Sequence, residues 1–529
     1  MTRKFWKTLL LAMLILCMSM ITVPVFAAED VPTLEIFIEE VVTVEDFETN
    51  AATLWIQEQL GCELDFIVAP TGSAEEKLNV LLNSGEYPDI FYRAIPNENL
   101  YGVESGLLLD LSEYVADTEV MPNLNYLMEI RPALIPQLRA VNGALYTAPH
   151  YSECVHCQYS NKMFYNKGLL EAIGKEVPTT TDEMYDVMVA FKAAYPDGIP
   201  YAACIDAQSA PWAFLTNAWT YSTLSTGASG NIGLRLHDGV VESMIDDEEY
   251  REALRYIKKL YGEDLLYEGS FTMDTSQLKA LLASDTPVLF WSATHNVKYV
   301  NAADTPELYA NQKPLAPLKG PEGAQYASYY PPTPTPGIAV SASCENIDLA
   351  IKFIDLHYTA EAIWTINEGV RGENWDWAAE GQKTMLGNPA NAYRIGEYIT
   401  DIQNVKWEPR GVGVDIEEYQ GRPFDAEAYD ETLAEWGSAF RSIMTNEFYA
   451  PYYQDEYQTI PTLKFTSEEE EELSMINVSL LNYIAQSRIG FITGTMDLDK
   501  DWDSYVSSLN NMGLETIIDL YQTSYDRVK

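Results

Sequence analysis

The chain opens with a strand, a helix and a second strand in close succession. Thr33–Phe37 reads as a strand, Ala51–Leu60 as a helix, and Cys62–Val68 (CELDFIV) as a strand again. A β-α-β opening of this kind points to a mainly parallel sheet. A helix over Glu75–Asn83 follows, ended by Ser84-Gly85. PDIFYR then supplies a further strand, with Pro88 at its start, where no ladder N–H is required. Strands and helices keep alternating through Tyr146. From Pro178 a new helical register begins, with Thr181 or Asp182 as cap and Met184, Val187, Val189 and Phe191 as its apolar positions.

Residues 313–337 form the stretch richest in proline and glycine. A strand (GIAVSA) and a helix (IDLAIKFIDLHY) follow at once, so the segment suits a chain crossing between lobes. The acidic run SEEEEEL reads as a helix start. Ser467 is the expected cap, Glu470 its capping-box partner, and Leu473, Ile476, Leu480 and Ile484 follow at helical spacing. A length of 529 residues is too great for one simple core and predicts two lobes or domains.

The first residues read as a secretory leader. Arg3, Lys4 and Lys7 precede an apolar run from Leu9 to Val23, Pro24 ends it, and cleavage is expected after Ala27. Cys17 follows Leu14-Ile15-Leu16, a poor context for lipid attachment, which makes a plain secretory leader the better reading. Five cysteines remain beyond the leader, an odd number, so at least one stays unpaired within the chain. Cys154-Val155-His156-Cys157 has redox spacing, but one histidine and no second pair favour structural thiols or one local disulfide over a metal site.

The formal charge of −46 becomes −49 once the three leader cations are removed. A field of that sign repels nucleic acid and anionic membranes. It also disfavours polyanionic sugars unless a local basic pocket overrides it. No P-loop, nucleophile elbow, HExxH or dinucleotide fingerprint is present. The spacing Asp497-x-Asp499-x-Asp501-x-Asp503 resembles a calcium loop, yet Trp502 stands where glycine is needed and Ser508 where the bidentate glutamate belongs. No metal and no cofactor are therefore expected.

What the chain offers instead is aromatic residues, 12% of the total, many beside polar groups in non-helical segments. Sugar rings present C–H faces for aromatic stacking and a rim of hydroxyls for carboxylates, Arg, Asn and Gln. The loop EGVRGENWDW, residues 368–377, poses the choice most sharply. Its tryptophans either plug the edge of a core or wall a ligand cleft, a choice the residues alone leave open.

Several segments together resemble the extracellular solute-binding proteins of bacterial ABC transporters, in the branch with maltose- and oligosaccharide-binding members. They are GEYPDIFYRAIPNENLYGVESGLLLDLSEY, VNGALYTAPHYSECVHCQYSNKMFYNKGLLEAIGKEVPTTTDEM, and the ending RIGFITGTMDLDKDWDSYVSSLNNMGLETIIDLYQTSYDR. The resemblance implies two α/β lobes joined by a hinge and closing on ligand. The expected division is a leader over 1–27, a first lobe over 28–151 and a second over 152–328. A return to the first lobe over 329–365 follows, then the second lobe with a helical extension over 366–529.

Carried over by motif, the resemblance places Tyr92 and Arg93 at the cleft from the first lobe and Tyr151 and Glu153 at the hinge. It also assigns Trp291, Arg371, Glu373 and Trp375 to ligand, and Tyr330 joins them as a ring beside the crossing segment. It implies a monomer without enzymatic activity that delivers an oligosaccharide or similar polar solute to permease subunits. Its expected place is outside the cell or in the periplasm. A secreted glycan-processing enzyme with a carboxylate pair, or a glycan sensor or adhesin without a permease, is the alternative. The calcium loop of some larger members is missing, since AYPDGIPY is too short to form it.

Overall fold

The computed structural model describes residues 31–224, 232–396, 399, 401–408, 411–433 and 436–529; the leader and Cys17 lie outside them. Two sheets organise the molecule. The first has six strands in the order Val414–Asp415, Ala148–Ser152, Thr335–Val340, Ile90–Tyr92, Thr33–Glu39 and Glu63–Ala69. Thr33–Glu39 runs parallel to both neighbours, as a β-α-β opening dictates. Five of its six strands run in one direction, so the sheet is mainly parallel as expected, with one strand reversed. Thr335–Val340 inserts antiparallel between Ile90–Tyr92 and Ala148–Ser152. It arrives from the other lobe rather than through a crossover helix, so no handedness rule forces it parallel.

The second sheet orders Gln312–Leu315, Lys162–Asn166, Val288–Ala293 and Ile199–Ala202 and is mixed. Each sheet has its own core. One packs Leu34, Ile36, Tyr92, Leu145 and Tyr151 with Ile338, Phe353, Trp407 and Ile416. The other gathers Met163, Phe191, Leu254 and Phe290 with Leu480, Phe491 and Leu509 from the C-terminal helices. The chain therefore crosses between lobes after Tyr151, before Ile338 and again beyond Ile416. The first core runs on past residue 365, where the sequence division had ended it. Residues 366–416 close that lobe because Ile366, Trp407, Val412 and Val414 face its sheet.

Local signals were read to within a residue or two. Ala51–Leu60 is capped by Asn50, whose side chain accepts from the Ala52 N–H, and ends at Gly61, whose φ of 65° is one glycine tolerates. The capping boxes sit one residue earlier than expected in both helices. Thr180 pairs with Glu183 ahead of Thr181–Ala194, and Thr466 with Glu469 ahead of Ser467–Thr493. In the first helix Met188, not Val189, turns inward. No helix of the described residues is long and apolar enough to cross a membrane.

Candidate ligand-binding cleft

The segment leaving the first lobe carries the first functional groups. Tyr151 directs its hydroxyl to Glu153, 3.1 Å away, and Glu153 is clasped by Arg131, whose Nη2 donates to its Oε2 at 2.8 Å. Arg131 also holds Glu418 at 3.0 Å, so the hinge strand is fixed to the returning chain by a three-residue charge cluster. Cys154 and Cys157 then form a disulfide that folds the turn bearing His156. These three side chains could have made a metal site, but both sulfurs are committed to each other.

Lys162 pins this turn to the second lobe. Its Nζ donates to the carbonyls of His156 (2.7 Å), Tyr159 and Thr294 (3.2 Å). Enclosure without a carboxylate brings its amine down to about 7. Thr294 follows the Val288–Ala293 strand, and His295 and Asn296 come next. The His156 and His295 rings meet edge to face at 5.5 Å. Burial first, then the positive charge of Arg441, hold His156 at about 3 and His295 at about 4, so both rings are neutral.

Around Arg441 the structure collects polar atoms that no described residue satisfies. They are Arg441 Nε, Trp436 Nε1, the Tyr309 and Tyr429 hydroxyls, both amide atoms of Asn296 and Nδ1 of His295. Asn296 is 2% exposed and Tyr309 3%. Gly437 opens the helix Gly437–Phe448 between them: a Cβ there would lie 3.0 Å from the Tyr309 hydroxyl and 3.9 Å from the Asn296 amide nitrogen. Phe424 and Tyr429 each meet Trp436 edge-on and lie tilted at 53° to one another, with centroids 5.6–5.9 Å apart. Across from them, first-lobe Glu368 holds Arg394 at 2.7 Å and Arg422 at 2.9 Å, and Arg422 stands close enough to repel Arg441. Buried polar groups are ordinarily hydrogen-bonded, so a concentration of orphans beside aromatic rings marks a place where a polar guest completes the set.

The residues expected at the cleft are placed differently. Tyr92 is fully enclosed; its hydroxyl accepts from the Val412 N–H at 2.8 Å and its ring packs on His357 and Trp407. Trp291, 1% exposed, stacks on Phe164 inside the second lobe. Trp375 is 0% exposed, donates its indole N–H to the Gly369 carbonyl at 2.9 Å and stacks on Trp364 at 5.6 Å. A ring with no open face cannot stack on a sugar, so these three are core residues here, and the EGVRGENWDW loop seals a small core. Arg371 pairs with Glu361 at 2.8 Å on the surface, and Glu373 is exposed beside it.

The other positions lie nearer the junction. Arg93 adopts φ 64°, donates its N–H to Gly337 and adds its charge to the burial that lowers His150 to about 4. Tyr330 bonds Gln158 through its backbone, and its hydroxyl accepts from Asn161 at 3.3 Å. Asn296, Tyr309, Trp436 and Arg441 went unnoticed in the sequence. Only one signal pointed to them: SATHN sits at the carboxyl end of a buried strand, where ligands of α/β sheets gather.

The profile of the bacterial extracellular solute-binding protein family matches residues 43–364. The fructooligosaccharide ABC transporter substrate-binding protein FusA of Streptococcus pneumoniae is 22% identical over 89% of this chain and 86% of its own. The structure of S. pneumoniae FusA in complex with kestose aligns with TM-score 0.72 and 20% identity, covering 94% of this chain and 99% of that one. An extracellular solute-binding protein from Bifidobacterium longum subsp. infantis aligns with TM-score 0.77 and 19% identity, covering 95% and 99%. With two lobes, three crossings and a matched stretch that spans most of both, the chain belongs to the family of bacterial extracellular solute-binding proteins.

Proposed function

We propose that this protein is the extracellular solute-binding component of an ABC transporter and captures an oligosaccharide between its lobes. The observation that carries the reading is the set of unpartnered polar atoms around Asn296, Tyr309, Trp436 and Arg441, with the Phe424–Tyr429–Trp436 rings beside them. Hydroxyls of a sugar would satisfy the donors and acceptors, and its C–H faces would lie on the rings. FusA, a relative named for fructooligosaccharide, supports the ligand class.

The described contacts favour binding over turnover. Glu153 and Glu418 share Arg131, and Glu368 holds two arginines, so these carboxylates are already engaged in ion pairs within the protein. Closure would be a two-state shift in which the ligand is touched by both lobes only in the closed form. The exported monomer would then present that form to permease subunits.

A thermal-melt screen of residues 28–529 against mono- and oligosaccharides, with peptides and polyamines as controls, tests this. A ligand at a hundred times its dissociation constant adds about 2.7 kcal/mol to stability. A melt shift with one sugar class and no product on long incubation is expected. A shift only with peptides, or release of a hydrolysed sugar, would overturn the reading.

A further inference from the structure

We infer that the ligand carries a carboxylate on an otherwise neutral oligosaccharide, and that Arg441, with the donors of Trp436, Asn296 and Tyr309, reads that group. The inference rests on the reading of this cleft as a sugar site and deepens it.

Balance of donors and acceptors is the first argument. Among the unpartnered atoms gathered here, Arg441 Nε, Trp436 Nε1 and Asn296 Nδ2 can only donate, and only Asn296 Oδ1 can only accept. The Tyr309 and Tyr429 hydroxyls serve either way, as does His295 Nδ1 according to its tautomer. Each hydroxyl of a neutral sugar brings an O–H donor along with its acceptor lone pairs, and that donor has few acceptors to meet in this set. A carboxylate brings acceptors alone.

Charge is the second. The other enclosed arginines of the lobe junction hold acids: Arg131 has Glu153 and Glu418, and Arg422 has Glu368. Arg441 has no carboxylate partner among the described residues, and the like-charged Arg422 works against its charge. His156 and His295 stay neutral beside it. An unpaired, largely enclosed guanidinium in a chain of net charge −46 is costly unless something supplies the missing anion. Its fork fits a carboxylate through two parallel bonds, a geometry lysine lacks.

The same net charge limits the ligand. A polyanion would meet the acidic surface along its length, whereas one acidic group placed at Arg441 meets a local positive field. The third argument is space. Gly437 leaves open the gap between Tyr309 and Asn296 that any side chain would close.

The experiment uses matched pairs on the full exported chain, by calorimetry at low and physiological salt. The pairs are lactose with sialyllactose, and xylobiose and cellobiose with their glucuronic-acid-bearing counterparts. The acidic member of at least one pair is expected to bind about tenfold or more tighter than its neutral partner. Arg441→Gln is expected to bring that ratio close to one, and Arg441→Lys to leave an intermediate ratio, with melting temperatures near that of the parent. A neutral member bound as tightly as its acidic partner overturns this inference and leaves the sugar-binding reading standing. Absence of binding by every glycan, neutral and acidic, overturns both. A ratio unchanged in Arg441→Gln assigns the acidic group to other residues and also overturns the inference.

Discussion

Lys464 of the C-terminal segment reaches Glu98 of the first lobe, Nζ to Oε2, at 2.5 Å. The pair has company: Asn99 donates to the Phe465 carbonyl at 2.7 Å, Asn97 to Glu470 at 3.2 Å, and Ser467 to Glu104. Phe465 packs on the second core, so these contacts bind one lobe to the other. Both charged side chains are more than four-fifths covered, so removing one partner leaves a poorly solvated charge behind. Lys464→Met is expected to cost roughly 1–3 kcal/mol of stability, and Glu98→Gln in the same chain to restore part of it. Urea unfolding of the two single variants and the double variant measures the coupling. Additive effects would mean the contact is passive.

Gly437→Ala should separate stability from binding. Alanine is favoured over glycine in a helix by up to about 1 kcal/mol. Its Cβ, however, enters the gap beside the Tyr309 hydroxyl. The melting temperature without ligand is expected to hold or rise, while affinity for the best ligand falls by about tenfold, roughly 1.4 kcal/mol. Equal affinity in both proteins would place the ligand elsewhere.

Trp291→Ala and Trp375→Ala are now stability variants. Both rings are enclosed, and truncating a core tryptophan costs roughly 3–5 kcal/mol. Chemical unfolding should show losses of that size, and a variant with unchanged stability would return its ring to the cleft.

These two rings also show where the sequence was legible. Period, caps and breakers placed Ala51–Leu60, Thr181–Ala194 and Ser467–Thr493 because those signals are local. The resemblance gave the two-lobe plan because its motifs follow the chain order. The site is not local. His295 and Asn296 follow one strand, Tyr309 lies in the short helix Pro306–Asn311, and Trp436 and Arg441 stand more than a hundred residues later. No spacing rule joins them. Trp375 misled because an exposed and an enclosed tryptophan look alike in a glycine-rich loop; the partner that encloses it, Trp364, lies on the preceding helix.

The cysteines give a count. Cys154 and Cys157 are joined, whereas Cys62, Cys204 and Cys344 are free and buried, and burial raises their thiols. Residues 28–529 should react with a thiol reagent hardly at all when folded, at three sites when unfolded, and at five after reduction. The turn closed by the disulfide is so short that its loss should cost only about 2 kcal/mol. Two reactive thiols in the folded, unreduced chain would show the bridge absent.

Acid should destabilise the protein first through its buried histidines. His357 is fully buried, its Nδ1 lies 2.7 Å from the Phe353 carbonyl, and burial holds the ring at about 4. An unfolded histidine titrates near ~6.5. With the folded value depressed, the unfolded chain takes the proton first, so this stability is whole above about 6.5 and is lost as the pH falls toward about 4. For His357 alone the full loss is roughly 3 kcal/mol. His150, His156 and His295 act in the same sense. Asp247, raised to about 6 by burial, works in the opposite one, because its protonation relieves the folded state as the pH falls. Burial raises Glu35, Asp246 and Asp415 in the same sense as Asp247, and the four lowered histidines outweigh these carboxylates to give a net fall in melting temperature between pH 6.5 and pH 5. His357→Phe lowers stability at neutral pH through the lost hydrogen bond, yet it removes a proton acceptor from the unfolded chain. Its melting temperature should therefore fall less steeply over that window than the parent's. Parallel curves for the two proteins would show that His357 is not what acid attacks.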